Sequence, residues 1–462
     1  MFHRMSGESQ EERIRSLLKE WGQHHVITAL DELSGFDKEK LLNQLFDVDY
    51  PGMVLSIQKA GESLREVIFE APDQQDVRTL DSVSVEDRKR WWKLGLQSIS
   101  SGKVAACILA GGQGTRMGLG IDESKGMLDI GLPSRKSIFQ LFVERLRRLK
   151  ILAGNENCFL PLLVMTSPLN DARVRRFFEE HAYFGYKEDD VYFFAQGTLP
   201  ALAYPELKLI LENRCTLSES PDGNGGVYFA LSKSGILDSL LSRGVEYLHI
   251  FAVDNALTRP ADPCFVGFAA ESGVEVANKV VWKSDWREKV GVVAKRDGKN
   301  TVVEYSDLFN ADAGIDNPLI RATDASSGKL LLGAGNICNH MLRLEFIKRI
   351  MPELTAMYHV AHKAIPYYDT ETKTVKKPVS NNGVKLEAFI FDAFELSSKA
   401  GILECRREEE FAPMKNKSGT DSAESALAML LSVFSASGYR DLPEVSPLDF
   451  YFGEDVIQGD IP

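Results

Sequence analysis

Cysteine is sparse and scattered in this chain. Its six cysteines stand at 107, 158, 215, 264, 338 and 405, never closer than 49 residues. That spacing excludes a CxxC zinc or redox motif and a secreted disulfide framework, and points to a reducing, cytoplasmic compartment. Long apolar runs are missing too: the longest are segments such as Val104–Ala110 and Leu162–Met165, far short of the ~20 residues that span a bilayer. The first 25 residues mix Glu8, Glu11, Glu12 and Glu20 with bases and hold no apolar signal core. Positive charge is in deficit, 54 Lys and Arg against 66 Asp and Glu, for a net charge of −12. Neither nucleic acid nor an anionic membrane is then an expected partner, and an anionic substrate must find a locally basic pocket. Internal repeats and low-complexity tracts are absent.

What remains is ordinary globular composition, 44% hydrophobic and 26% charged over 462 residues, enough for roughly three folding units at ~150 residues each. Residues 8–70 read as helical, with Ile14, Leu17, Leu18 and Trp21, then Leu41, Leu42, Leu45 and Phe46, on one face. Pro51-Gly52 punctuates that stretch, and the polar run Asp73–Arg78 links it onward. Helix resumes over Glu86–Ser98, where Trp91 and Trp92 read as core.

From Lys103 the pattern changes to short apolar runs alternating with amphipathic helices. Strands are expected at Val104–Ala110, Leu162–Thr166, Val191–Phe194 and Tyr247–Val253; helices at Phe139–Lys150, Asp171–His181, Gly226–Ser234 and Pro263–Gly273. This alternation predicts a doubly wound, mostly parallel α/β sheet whose strands are apolar because both faces are covered. Asp297-Gly298, between two Val-rich runs in 290–305, signals an antiparallel hairpin inserted beside it. One more helix, Ser422–Ser435, precedes an acidic tail. The expected division is a helical N-terminal region, 1–100, a central catalytic domain, 101–395, and a small C-terminal domain, 396–462.

The sharpest local signal is Leu109-Ala-Gly-Gly-Gln-Gly-Thr-Arg-Met-Gly118, directly after an apolar strand. Gly111, Gly112 and Gly114 let backbone N–H groups come close to a ligand, the setting for phosphate. No Gly-Lys-Ser/Thr closes the loop, so it is not a Walker A motif, and Met117 replaces the third glycine of G-x-G-x-x-G. That departure counts against a dinucleotide oxidoreductase. Arg116 and Lys125 add two cations and suit a polyphosphate.

This loop, with Lys125-Gly-Met-Leu-Asp-Ile-Gly-Leu-Pro-Ser-Arg-Lys136 behind it, resembles the eukaryotic-type UDP-N-acetylglucosamine (UDP-N-acetylhexosamine) pyrophosphorylases. The likeness continues through Phe193–Ala201, Ser220–Gly226, Val253-Asp-Asn255, Gly291-Val-Val293, Val303-Glu-Tyr-Ser306, Ala334–His340 and Lys385–Phe389, over roughly residues 90–420. One departure stands out: Ser124 occupies the position before Lys125 where the family has proline, and the Arg116–Lys125 interval is about two residues longer.

The resemblance implies a Rossmann-like nucleotidyltransferase that joins UTP and N-acetylglucosamine 1-phosphate into UDP-N-acetylglucosamine and pyrophosphate. The sugar phosphate attacks the α-phosphorus in line. Arg116, Lys125 and Lys385 are its expected catalytic cations, with Lys415 on the sugar-phosphate side. Leu109, Gly111 and Gly112 would face the nucleotide. Gln196 and Gly223 would hold the uracil edge, and Asn224 the sugar. Gly291, Glu304, Tyr305 and Asn336 would take sugar hydroxyls and the N-acetyl group. Glu304 and Tyr305 read as neighbours on one strand, so only one would reach the sugar. Asp254, ending an apolar strand, is the expected ligand of Mg2+, with Mn2+ as a substitute. A monomer or weak homodimer is expected.

Two other features read as structural. His359 and His362 fall at i, i+3 on an expected helix without a third ligand, and Glu408–Glu410 reads as a solvated face. Competing readings are a UDP-glucose or broad-specificity UDP-sugar pyrophosphorylase, against which Gln113, Arg116 and the Ala334–His340 block stand, and a catalytically inactive UDP-sugar-binding regulatory module.

Overall fold

A computed structural model describes residues 9–46, 48–62, 68–112, 114–310, 314–354, 358–440 and 442–452. The chain divides into two compact units that are interleaved along the sequence. One comprises Met1–Glu66, Gly197–Gly226 and Leu354–Phe389; the other comprises Val67–Gln196, Val227–Glu353 and Ile390–Pro462. The sequence reading, by contrast, divides it into contiguous stretches at 100/101 and 395/396.

The larger unit is built on an eleven-stranded sheet. In chain order its strands are β1 (Phe69–Glu70), β2 (Val77–Thr79), β3 (Val104–Leu109), β4 (Leu162–Thr166), β5 (Val191–Ala195) and β6 (Tyr247–Ala252), followed by β7 (Val276–Trp282), β8 (Val292–Arg296), β9 (Lys299–Val303), β10 (Ala334–Arg343) and β11 (Ala400–Cys405). The main path runs β2-β11-β7-β10-β6-β3-β4-β5. Every neighbouring pair on it is parallel except the two that β10 makes with β7 and β6. The expected doubly wound, mostly parallel sheet is therefore present. All residues of β3 and β4 are buried, because helices Val85–Ser100, Ile138–Leu152 and Pro263–Ser272 supply Trp91, Trp92, Phe139, Phe142 and Phe268 to the same core.

The hairpin falls where Asp-Gly marks it: β8 and β9 pair antiparallel through Asp297 (φ 51°) and Gly298 (φ 78°), both left-handed as a two-residue hairpin turn requires. It joins the sheet by Val292 opposite Gly335 of β10. Nothing in the sequence pattern marks β10 as a strand, since Asn336, Asn339 and His340 break its apolar run. Inside the sheet those polar side chains find partners: His249 shares a hydrogen bond with Asn339 Oδ1 at 2.7 Å, and His340 with Asn278 Oδ1 at 2.7 Å. Burial pushes both imidazoles down to about 3, so both are neutral at pH 7.

In the other unit, helices Gln10–Glu20, His24–Glu32, Gly35–Phe46 and Tyr50–Glu62 present Leu18, Val26, Leu30, Leu41 and Met53 to a small core. It is completed by Leu202, Leu209, Leu217, Val384 and Leu386. Ser9 and Glu12 close a capping box at the first helix. Pro51 and Gly52 lie in the first turn of the fourth helix, where proline's missing N–H costs nothing. A three-stranded antiparallel sheet orders His359–Lys363, Gly383–Glu387 and Leu202–Ala203. This corrects the reading of His359 and His362 as helical. On a strand, positions three apart face opposite ways, and the two rings lie against Phe389 and Tyr204 respectively.

Candidate active site

In the sheet unit, Leu109, Gln196 and Asp254 stand at or just past the carboxyl ends of parallel strands β3, β5 and β6, the place where open α/β sheets receive ligands. Leu109 ends β3 opposite Met165 and Ala252. The carbonyl of the next residue, Ala110, accepts hydrogen bonds from Ser124 Oγ at 3.2 Å and Asn170 Nδ2 at 3.0 Å. Asn170 in turn accepts from the Ser167 N–H at 2.8 Å. These two side chains, 0% and 2% exposed, fix where the glycine loop begins. Ser124, the departure from the family pattern, is thus a clamp, and its hydroxyl also accepts from the Gly126 N–H at the turn carrying Lys125.

The loop glycines differ in what demands them. A Cβ at Gly111 would stand 2.8 Å from the Thr166 carbonyl and 2.9 Å from Gln196 Oε1, and one at Gly114 would stand 2.3 Å from Leu119 Cδ1. Packing explains both. At Gly112 a Cβ would meet nothing within 4 Å, so this is the position open to a ligand. Gln113 lies outside the described residues. Leu119 and Met117 donate back to the Gly114 carbonyl at 3.3 and 2.9 Å, which folds the longer Arg116–Lys125 interval onto itself. Arg116 is exposed and makes no hydrogen bond or ion pair among the described residues.

Lys125 is different. Its ammonium donates to Asp254 Oδ2 at 2.7 Å, with the two side chains 18% and 20% exposed. Gly126, next along, is held so tightly by the Phe139 ring that a Cβ would lie 2.4 Å from it. Asp254 sits in the turn after β6 and caps no helix; Asp262 caps the following one. Asn255 stitches this turn to residues 410–414, donating to the Glu410 carbonyl at 2.6 Å and accepting from the Ala412 N–H at 2.8 Å. The Met414 N–H then donates to the Asp254 carbonyl at 2.8 Å, bringing Lys415, one residue on, to the same turn.

Beneath lies a fully buried ion cluster. Lys279 Nζ meets Asp262 at 2.5 Å and Glu410 at 3.0 Å, and Arg259 pairs with Glu410 and with Asp262, the latter at 3.4 Å. Burial opposes the charged form of Asp262, yet Arg259 and Lys279 hold its carboxyl down at about 2. Glu410 therefore leaves the solvated face expected of Glu408–Glu410: Glu408 and Glu409 are exposed and Glu410 is not.

Gln196, after β5, is 6% exposed, and its backbone N–H donates to Thr166 at 2.9 Å. Its side-chain amide has no partner among the described residues. Gly291, Glu304 and Asn336 converge as well. The Asn336 N–H donates to the Gly291 carbonyl at 2.8 Å, and Glu304 Oε1 lies 3.1 Å from a Cβ placed on Gly291. Asn336 Oδ1 accepts from the Cys338 N–H at 2.8 Å, at a left-handed residue (φ 50°) in the bulged strand β10. Strand β9 ends at Val303, and Tyr305 opens a one-turn helix behind Glu304. The expected strand alternation of Glu304 and Tyr305 does not exist, so it places no limit on either.

In the other unit, Gly223 (φ 89°) and Asn224 occupy a turn braced by Asp222. The Asp222 carboxylate accepts from the Gly197 N–H at 3.1 Å and its carbonyl from the Ala388 N–H at 2.7 Å. Burial pushes that carboxyl up to about 6. Lys385 lies on strand Gly383–Glu387, opposite Ala361, half-buried and without a polar partner among the described residues.

No cluster of three or more His, Cys, Asp or Glu side chains able to hold a metal occurs among the described residues. Asp254 is a single hard carboxylate. That donor suits Mg2+, which keeps waters and takes one or two carboxylates with substrate phosphates, and it does not suit zinc. Ser124, Asn170, Asn255 and Asp222 are the positioning residues that sequence reasoning left unassigned. Ser124, Asn255 and Asp222 lie inside or beside the quoted motifs, whereas Asn170 carried no signal.

A family profile described as UTP--glucose-1-phosphate uridylyltransferase matches residues 50–438. UDP-N-acetylhexosamine pyrophosphorylase-like protein 1 of Xenopus tropicalis is 39% identical, over 97% of this chain and 94% of its own. UDP-N-acetylglucosamine pyrophosphorylase of Saccharomyces cerevisiae is 36% identical, over 96% of each. The crystal structure of the uridine diphosphate N-acetylglucosamine pyrophosphorylase of Trypanosoma brucei, solved with an inhibitor, superposes with a TM-score of 0.84 at 29% identity, covering 99% of this chain and 96% of that one. Leishmania major UDP-glucose pyrophosphorylase shares the fold at 18% identity (TM-score 0.61, covering 86% and 79%). With the profile spanning most of the sequence and relatives of this identity matching nearly end to end, the chain belongs to the UTP--glucose-1-phosphate uridylyltransferase family and, within it, to the UDP-N-acetylhexosamine pyrophosphorylases.

Proposed function

We propose that the protein is a UTP:N-acetyl-α-D-glucosamine-1-phosphate uridylyltransferase, forming UDP-N-acetylglucosamine and pyrophosphate. The observation that carries this reading is the grouping at the carboxyl ends of β3 to β6. A buried Gln196 amide without a partner among the described residues and the Lys125–Asp254 pair lie there with the open position Gly112, and Arg116, four residues on from Gly112, is exposed and makes no ion pair among the described residues. The names of the relatives support the same chemistry.

A phosphate monoester has a second pKa of ~6 and is already nucleophilic at pH 7. No histidine or serine base is needed, and the two imidazoles buried in the sheet are neutral and sealed away. What the chain must supply is alignment and compensation of phosphoryl charge. Arg116 and Lys125 take that role toward the triphosphate and departing pyrophosphate, and Lys385 and Lys415 toward the sugar phosphate. Gln196, with a donor and an acceptor on one amide, reads the uracil edge together with Gly223; Leu109, Gly111 and Gly112 face the nucleoside. Asn224, Gly291, Glu304, Tyr305 and Asn336 receive the amino sugar. Asp254 would hold Mg2+, or Mn2+ in its place, which when bound draws two mutually repelling phosphates together. The enzyme works in the cytoplasm as a monomer or weak homodimer; six free thiols fit a reducing compartment, and no helix among the described residues is long and apolar enough to cross a membrane.

The test is pyrophosphate release with UTP, Mg2+ and a panel of sugar 1-phosphates. Turnover with N-acetylglucosamine 1-phosphate should exceed that with glucose 1-phosphate by at least tenfold. Equal rates would install the broad-specificity reading, and UTP binding without release would install the regulatory one.

A further inference from the structure

The Lys125–Asp254 pair has a consequence that the transfer reaction does not require. Each partner is anchored through its backbone: Lys125 between buried Ser124 and Gly126 wedged under Phe139, Asp254 through its carbonyl to Met414 and through Asn255 to residues 410–412. Among the described residues the polar contact across the gap is ammonium to carboxylate, 2.7 Å, with the two side chains 18% and 20% exposed. Arg116, nine residues earlier, is exposed and paired with nothing among the described residues. The two cations thus differ, one waiting in solvent and the other committed to the carboxylate on which the metal reading depends.

We infer that Lys125 is a built-in stand-in for the divalent cation: its ammonium occupies Asp254 in the ligand-free enzyme and must pass to phosphate oxygens before a metal ion can use that carboxylate. The proposal rests on the reading of Asp254 as the metal ligand given above. Its physical basis is competition between two positive charges for one partly desolvated carboxylate, where an effective dielectric near 20 makes charges ~4 Å apart matter. An incoming triphosphate relieves the competition by offering the ammonium other oxygens. Metal and UTP should then each tighten the other's binding by the same factor, and metal alone should bind poorly. Arg116, having nothing to release, would be first to engage the phosphates.

The test titrates the full-length protein with Mn2+ alone, reading free Mn2+ by electron paramagnetic resonance, with no nucleotide and hence no turnover. Wild type is compared with Lys125→Met, with Lys125→Gln as a second variant, and with Asp254→Asn. Removing the ammonium should tighten Mn2+ binding about tenfold. It should also shrink the factor by which UTP, added without sugar phosphate, improves Mn2+ affinity. Asp254→Asn should abolish the site. If Asp254→Asn abolishes Mn2+ binding but both Lys125 variants bind it no more tightly than wild type, the stand-in is wrong while the metal site survives. If Lys125→Met combined with Asp254→Asn binds Mn2+ as tightly as Lys125→Met alone, the metal reading itself falls and the stand-in goes with it.

Discussion

Asp222 offers the sharpest quantitative test of how the Gly223-Asn224 turn is held. The residue is 9% exposed; one carboxylate oxygen takes the Gly197 N–H and the other has no partner among the described residues. No cation compensates it among the described residues. The titratable neighbour it touches electrostatically is Tyr358, itself pushed up to about 12 by burial and by the charges of Asp222 and Asp49. Burial raises the Asp222 carboxyl from 3.8 to about 6. The folded protein therefore keeps this proton over a range in which the unfolded chain has lost it. Its contribution to stability is full below pH 3.8, declines as pH rises toward 6 and is gone above that. The whole swing is about 3 kcal/mol, of which roughly 1.4 falls between pH 5 and 8. Asp222→Asn keeps the shape and can still accept from Gly197 but does not titrate. Urea unfolding of both proteins at pH 5, 6, 7 and 8 should show the wild type losing about 1.4 kcal/mol more than the variant across that span. Stability curves that run parallel would refute an uncompensated carboxylate at this turn.

Lys279→Met removes the cation shared by Asp262 and Glu410 in a fully buried cluster and should cost about 3–5 kcal/mol in denaturant unfolding; a loss under about 1 kcal/mol would mean Arg259 alone neutralises both carboxylates. Arg116→Ala should lower kcat by on the order of 10²–10³ and leave the melting temperature unchanged, because the side chain has no partner in the described structure; steady-state kinetics beside a thermal melt checks both halves. Ser124→Ala deletes one of two donors on the Ala110 carbonyl while Asn170 keeps the other, and should destabilise by about 1 kcal/mol with a higher KM for UTP. Unchanged KM would show that Asn170 holds the loop unaided.

How much of this could be read from the chain depended on whether local pattern and final surroundings agree. Strands β3, β4 and β6 were legible because both their faces are buried, so their sequences are nearly pure apolar runs. The β8–β9 hairpin was legible because Asp297-Gly298 demands two left-handed residues in succession. Strand β10 was not, because its Asn and His pair with partners on β6 and β7 that lie 90 and 62 residues distant respectively. His359–Lys363 misled for the opposite reason: its five residues are partly or fully exposed and carry no clean alternation. Among Glu408, Glu409 and Glu410 only the last meets buried Lys279, a meeting across 131 residues that composition cannot foresee. In the site, motif order marked the glycine loop, Lys125 and Asp254. It could not reveal that Lys125 and Asp254 bond to each other, or that Asn170 reaches Ala110 from 60 residues away.

The interleaving of the two compact units has a practical meaning for dissection. The four helices between Gln10 and Glu62 cover Leu202, Leu209, Val384 and Leu386, which come from segments threaded into the larger unit's sequence. Shortening the gene from its 5′ end so that translation starts near residue 67 would strip that cover and leave those aliphatic side chains wet. The product should be sticky and prone to precipitate, even though every strand of the large sheet had been retained.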